Sequence, residues 1–134
     1  MKEEKWIKWE PLENIPWKVS VDSVEKIKDS LVMNFHEFKK PESQLRIVFN
    51  TGVRFYAKSI ETCRLTTIAS IYEKYGNDLY KWSFFKVLDS AHLDWLKRES
   101  NLKSKDLQLT HYVIIESDSV IDIITTSTPL IEWL

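Results

Sequence analysis

The chain has 134 residues, of which 19 are lysine or arginine and 20 are aspartate or glutamate, so the formal net charge is −1. This balance argues against non-specific nucleic-acid binding, which needs a basic surface. No segment approaches the roughly 20 consecutive apolar residues of a membrane span. The N-terminal residues also lack the apolar core of a signal peptide. Because Cys63 is the single cysteine, no internal disulfide can form, and we expect a cytoplasmic protein.

The length fits one domain, and no linker or internal repeat divides the sequence. We therefore expect a single domain over residues 1–134. Residues 1–18 combine Trp6, Trp9 and Trp17 with two prolines, which disfavour a continuous helix or a central strand. This N-terminal segment is predicted to be an irregular tryptophan-rich arm.

Alternation of apolar and polar residues predicts most of the strands. The alternating segments are residues 19–29, 30–38, 44–49, 53–58, 107–116 and 120–126, the first of which also shows near-helical spacing. Lys39–Ser43 is predicted as a turn. Asn50–Gly52 is predicted to close a β-hairpin between the strands at 44–49 and 53–58, because glycine adopts a positive φ readily.

Two further strands and two helices complete the prediction. Residues 81–88 are apolar on both faces, which indicates a strand covered on two sides, and Leu130–Leu134 is predicted as an edge strand. Apolar residues at steps of three and four predict a helix at about residues 62–75, ended by Gly76. A second helix, at about 90–101, is predicted to be capped by Asp89 or Ser90. The expected fold is α+β, a mostly antiparallel meandering sheet with two helices.

Motifs for catalysis and cofactor binding are not found in the sequence. Two glycines, Gly52 and Gly76, cannot form a phosphate-binding loop, which needs several positions without a Cβ. The three histidines have no i, i+4 spacing, and one cysteine cannot build a thiolate site. We therefore predict no catalytic residue, no cofactor and no metal site.

Several residues have a structural interpretation that we favour over a functional one. Cys63 is expected to be a small buried residue rather than a nucleophile paired with His92 or His111. His111 is expected to be half-buried, with its ring nitrogens bonded to the backbone or to a carboxylate. His92, in the first turn of a helix, is expected to be neutral and at the surface. Asp122 interrupts an apolar strand, so it must be paired or protonated if it points inward.

An ion pair is expected where the strand at 53–58 joins the first helix. Arg54, Glu61 and Arg64 are the residues that bracket this junction. Binding by one of these residues is the less favoured interpretation.

The six tryptophans are divided between core and surface. Trp82 and Trp95 are expected in the core, whereas Trp6, Trp9 and Trp133 lie near the termini and are the candidates for a partner-binding surface.

Parts of the chain resemble a loose set of small bacterial proteins. The resemblance rests on WSFFKVLDSAHLDWLKRES at residues 82–100, HYVIIESDSVIDII at residues 111–124, and Leu45–Phe49 followed by Arg54–Tyr56. It extends over about residues 45–129, although Tyr56–Glu61 lacks the arginine and aspartate of the set's corresponding segment. Several members look like immunity proteins carried beside secreted toxins. The resemblance implies a protein toxin as partner and brings no catalytic residues.

Three hypotheses follow for the function. The favoured one is a non-catalytic protein-binding domain that neutralises a toxin. The second is a small enzyme or small-molecule binder with a pocket under the sheet. The third is a homo-oligomer that pairs through the edge strand Leu130–Leu134.

Overall fold

The computed structural model describes residues 3–100 and 108–134 of the chain, which contain nine β-strands and two α-helices. The strands are β1 (Lys5–Lys8), β2 (Val19–Ile27), β3 (Ser30–Glu37), β4 (Lys40–Phe49), β5 (Val53–Ile60), β6 (Phe84–Leu88), β7 (Thr110–Ile115), β8 (Ser119–Thr125) and β9 (Leu130–Trp133). The helices are α1 (Leu65–Tyr80) and α2 (Ala91–Glu99), and a short 3-10 helix, Glu61–Cys63, precedes α1. Neither described helix is long and apolar enough to cross a membrane.

The strands form two antiparallel sheets, which confirms the α+β class. The five-stranded sheet has the order β1-β6-β7-β8-β5, and the four-stranded sheet has the order β2-β3-β4-β9. Every pair of neighbouring strands is antiparallel. As predicted, β9 lies at a sheet edge, and β6 is buried on both faces.

The predicted hairpin around Asn50–Gly52 is wrong. β4 pairs with β3 and β9, whereas β5 pairs with β8, so the chain crosses from one sheet to the other at this turn. Gly52 has φ +81°, and a Cβ built there would lie 2.3 Å from Thr126 Oγ1. The glycine is therefore required by both the backbone conformation and the close approach of the segment after β8.

The five-stranded sheet is covered on both faces. Tyr112 in β7 contacts Phe49 of the four-stranded sheet, with ring centroids 5.6 Å apart. Phe55, whose side chain points to the opposite face of the five-stranded sheet, contacts Trp95 of α2. The helices therefore lie on the face away from the four-stranded sheet, and the main core lies between the two sheets.

The N-terminal arm contains a strand that was not predicted. β1 pairs with β6 at the edge of the five-stranded sheet, with Trp6 opposite Val87. Pro11 and Pro16 follow this strand rather than interrupting it, so they do not prevent pairing. The description of residues 1–18 as irregular is therefore correct only for the part after β1.

The ends of several elements differ from the prediction. The turn lies at Phe38 and Lys39, where Lys39 has a positive φ, and β4 already begins at Lys40, so the turn at Lys39–Ser43 was wrong. Residues 101–107, which include the predicted end of the second helix and the start of the strand at 107–116, lie outside the described residues.

The cap predicted at Ser90 agrees with the structure, whereas the end predicted at Gly76 holds only in part, because α1 resumes after it and continues to Tyr80. Gly76 takes a non-helical conformation, with φ 78° and ψ −172°, and interrupts α1 where the helix was expected to end. Ser90 is the N-cap of α2, and its hydroxyl accepts a hydrogen bond from the Leu93 amide at 3.0 Å. Arg64 is not helical, which is why α1 begins later than residue 62.

Candidate functional site

A polar network lies buried between the five-stranded sheet and the helices. It consists of Arg64, Ser90, His111 and Asp122, and we refer to it as the polar network. In the β7–β8 register, His111 opposes Ile124 and Asp122 opposes Val113. His111 and Asp122 are therefore diagonal neighbours on one face of the sheet, close enough for their side chains to meet.

The hydrogen bonds of the network run in one consistent direction. Ser90 Oγ lies 2.6 Å from His111 Nδ1, and His111 Nε2 lies 2.8 Å from Asp122 Oδ1. Because a carboxylate oxygen can only accept, the imidazole proton lies on Nε2, and Nδ1 of the neutral ring accepts from the serine hydroxyl. Arg64 Nη1 donates to Asp122 Oδ2 at 2.6 Å and completes the carboxylate's partners.

Asp122 is a fully buried carboxylate that the surrounding network keeps charged. Burial raises the pKa of Asp122, but the hydrogen bonds from His111 and Arg64, together with the charge of Arg64, outweigh it and lower the pKa below its ordinary value. From the sequence, Asp122 was expected to be paired or protonated if its side chain pointed inward. The structure pairs it with two residues, His111 and Arg64. The ion pair expected among Arg54, Glu61 and Arg64 is therefore replaced by a pair between Arg64 and Asp122.

The network has the residue types of a serine nucleophile, a histidine base and an aspartate, but its geometry favours a structural role. Ser90 is 2% exposed, so a substrate carbonyl cannot approach its hydroxyl. The same oxygen caps α2. The network joins the start of α1, the start of α2, β7 and β8, and it holds both helices on the sheet.

His92 lies beside this network at the surface. Its ring centroid is 5.2 Å from that of His111, and the side chain is partly buried. Burial, the largest cause, together with the charge of Arg64, lowers the pKa of His92, against the opposing effect of Asp122. The expectation of a neutral histidine agrees with this direction.

The outer side of α1 presents an apolar surface to solvent. Leu65, Tyr72 and Tyr80 are 57%, 53% and 42% exposed. With Ile68 and Ala69 these side chains line a shallow depression of about 420 Å³, which we call the α1 face. Its lining contains no charged side chain.

A second depression of about 220 Å³ adjoins the α1 face and shares Ile68 and Tyr80 with it. We call it the Lys18 crevice; its remaining lining residues are Lys18, Phe38, Glu61, Lys81, Ile115, Glu116 and Ser117. Lys18 Nζ donates to the Ile115 carbonyl at 3.3 Å. Burial lowers the pKa of Lys18, and the charges of Glu61 and Glu116 oppose this effect.

Glu116 in the Lys18 crevice has a structural task. One carboxylate oxygen accepts from the Val21 amide at 2.8 Å, and the other accepts from the Ser119 hydroxyl at 2.7 Å and the Asp118 amide at 2.8 Å. The carboxylate therefore fastens β2 to the turn between β7 and β8, and the wall of the crevice is rigidly held.

The structure separates the tryptophans proposed for partner binding. Trp6 is buried and packs edge-on against Phe85, and Trp9 is partly buried against Phe84 and Tyr112. Trp133 on β9 is 41% exposed. Trp133 is therefore the most accessible of the three side chains.

Two expectations about burial are wrong. Trp95 is 43% exposed, because α2 lies on the outside of the sheet and only one side of the indole packs against Phe55. Cys63 is exposed, because the 3-10 helix that carries it has no buried residue. Trp82 is buried, as expected.

The Arg64–Asp122 and Ser90–His111 pairs were not predicted. The β7–β8 turn at Ser117–Ser119 already implies that His111 and Asp122 share a face, so this part of the network was accessible from the sequence. The other two residues come from helix starts far away in the chain, and no local pattern identifies them.

Comparison with known protein families, with curated proteins and with solved structures finds no match to this chain.

Proposed function

We propose that this chain is a non-catalytic binding protein whose α1 face docks a partner protein, and that the partner is a toxin. The observation that carries the proposal is the exposure of Leu65, Tyr72 and Tyr80 on one side of one helix. Exposed aromatic and aliphatic side chains that adjoin one another are typical of protein-binding surfaces.

The chemistry of the α1 face defines the partner segment. The depression lined by Leu65, Tyr72 and Tyr80 favours an apolar anchor, such as the apolar side of a helix or loop. The adjoining Lys18 crevice offers a cation and, at Glu61, a carboxylate, so polar groups beside the anchor would set its orientation. The partner inferred here is a protein with an apolar segment flanked by polar residues.

A small-molecule site in the Lys18 crevice is the second candidate. A partly buried lysine beside Glu61 and Glu116 is the kind of polar grouping that such sites use. The volume of about 220 Å³ is below the roughly 300–1,000 Å³ of ordinary ligand pockets. The larger, uncharged depression beside it supports a protein partner more strongly.

The test measures binding to the products of the genes that flank this chain's gene, by calorimetry with each purified product. One product should bind. Tyr72→Ala and Leu65→Ala should each raise the dissociation constant of the complex by about 30-fold, as expected at an aromatic or apolar hot spot. Trp133→Ala is the matched control, since its side chain is 41% exposed but lies on β9.

Two results would contradict the proposal. One is the absence of binding by every flanking product. The other is a complex that Trp133→Ala weakens and the α1 variants leave intact. The latter result would assign the interface to the open edge of β9, where a second copy could also pair.

A further inference from the structure

Three potential metal ligands converge where α2 meets the five-stranded sheet. His92, His111 and Asp122 each place one ligand atom so that all three atoms lie within 4.8 Å of one another. They come from the first turn of α2, from β7 and from β8. The cluster is distinct from the α1 face, and nothing in the proposed function depends on it.

We propose that His92, His111 and Asp122 bind one divalent first-row transition-metal ion. Two imidazoles and one carboxylate form the donor set that such ions take in proteins, with one or more positions left for water. The ion would fasten α2 to β7 and β8, where the polar network already joins them.

The polar network supplies the outer contacts that a metal site needs. Ser90 bonds His111 Nδ1, and Arg64 bonds Asp122 Oδ2. These two contacts orient the imidazole and the carboxylate, so that His111 Nε2 and Asp122 Oδ1 face each other at 2.8 Å. Because Arg64 occupies one carboxylate oxygen, Asp122 binds the ion through a single oxygen.

Metal binding would replace the hydrogen bond between His111 Nε2 and Asp122 Oδ1. The ion takes the place of the proton on His111 Nε2, which leaves to solvent, and it bridges Nε2 and Asp122 Oδ1. His92 completes the donor set by a small rotation, which its half-buried position permits.

The approach to these ligands is open on one side. Phe55, Ala91, His92 and Trp95 line a shallow depression of about 410 Å³. His92 belongs both to this depression and to the ligand cluster, so an ion from solvent reaches the cluster past its ring.

The test titrates the untagged chain with Co²⁺ and follows the visible absorption of the bound ion. One equivalent should bind, and His92→Ala should weaken the affinity at least about 10-fold, the smallest loss expected when a ligand is removed. His92 is only partly buried, so this variant keeps the fold. His36→Ala is the matched control and should bind Co²⁺ as the parent chain does, because His36 bonds Asp22 in the other sheet.

A second variant tests the outer contacts. Ser90→Gly keeps a residue that is tolerated at the helix N-cap but removes the bond to His111 Nδ1, so it should weaken Co²⁺ binding while circular dichroism shows an intact fold. The proposal is overturned if the parent chain binds no Co²⁺ at millimolar concentration. It is equally overturned if His92→Ala binds as tightly as the parent, or if His36→Ala loses the ion.

Discussion

At Asp122 a carboxylate with no solvent exposure is held charged by two donors from distant parts of the chain. Such a buried charge is costly if one partner is removed, because the remaining group keeps its desolvation cost without the compensating contact. Arg64, which reaches Asp122 from the start of α1, is therefore the residue whose loss should be felt most.

Replacing Arg64 by methionine should lower the free energy of unfolding by about 3 kcal/mol, since it leaves Asp122 buried with His111 alone. Arg54→Met is the matched control, because Arg54 is exposed on β5, and its effect should stay within about 0.5 kcal/mol. Urea unfolding of the three proteins measures both differences. Equal effects of the two substitutions would show that the Arg64–Asp122 contact adds little to stability.

The burial of Lys18 should make the stability of the folded chain rise with pH, whereas a lysine in an ordinary ion pair makes stability fall as the pH approaches its pKa. Burial holds the pKa of Lys18 below its usual value, so the folded chain binds this proton less tightly than the unfolded chain. The resulting cost to folding is complete below the folded pKa, and it disappears as the pH rises towards the unfolded value.

The stability of the parent chain relative to Lys18→Met should therefore rise between pH 7 and about pH 10, the range that approaches the unfolded pKa of lysine. Urea unfolding of both proteins across this range gives the difference, in which the titration of other groups cancels. A difference that stays constant or falls with pH would mean that the amine is not disfavoured by burial.

The positions of single side chains could be predicted from the sequence where neighbouring residues in the chain determine them. His111 and Asp122 lie on neighbouring strands of a predicted turn, and Ser90 stands where a helix cap belongs. The contact between Arg64 and Asp122 spans 58 residues of sequence and depends on how α1 lies on the sheet. Cys63 and Trp95 were misplaced because an amphipathic pattern does not reveal how completely a surface helix is covered.

At the scale of elements, the crossing from β4 to β5 shows that alternation of apolar and polar residues identifies strands but not the sheet to which each strand belongs. Alternating apolar residues define strands, and Gly52 defines a turn, but neither feature states which sheet the next strand joins. The hairpin interpretation failed because β8 and β9, late in the chain, provide the partners of β5 and β4.

The two glycines provide a matched test of this crossing. Both have positive φ, but a Cβ at Gly52 would lie 2.3 Å from Thr126 Oγ1, whereas a Cβ at Gly76 meets nothing within 4 Å. Gly76→Ala should therefore cost about 1–3 kcal/mol from backbone strain alone, because φ 78° with ψ −172° is a conformation almost restricted to glycine. Gly52→Ala should cost more, because the contact with Thr126 is added.

Thermal or urea unfolding compares the two variants. In a Thr126→Ala background, the cost of Gly52→Ala should fall, since the obstructing hydroxyl is gone. If Gly52→Ala is the milder substitution, the segment after β8 moves away without cost and the close approach does not constrain the crossing.

At the scale of the whole molecule, half of the six tryptophans help to build the two-sheet core and half remain partly exposed. Trp6, Trp9 and Trp82 help to hold β1 and the arm on the sheet. Four of the exposed large apolar side chains lie on α1, which no sequence pattern had indicated as the binding side. The stripe of apolar residues that predicted this helix remains largely exposed at Leu65 and Tyr72, and the buried residue of α1 is Ile71, outside the stripe.

The most direct test of the central claim is the amide hydrogen-exchange footprint of the complex with the flanking-gene product. Docking on the α1 face should slow exchange across α1, Leu65–Tyr80, and leave β9, Leu130–Trp133, unchanged. Protection confined to β9, or a complex that protects neither segment, would contradict the assignment of the α1 face as the docking surface.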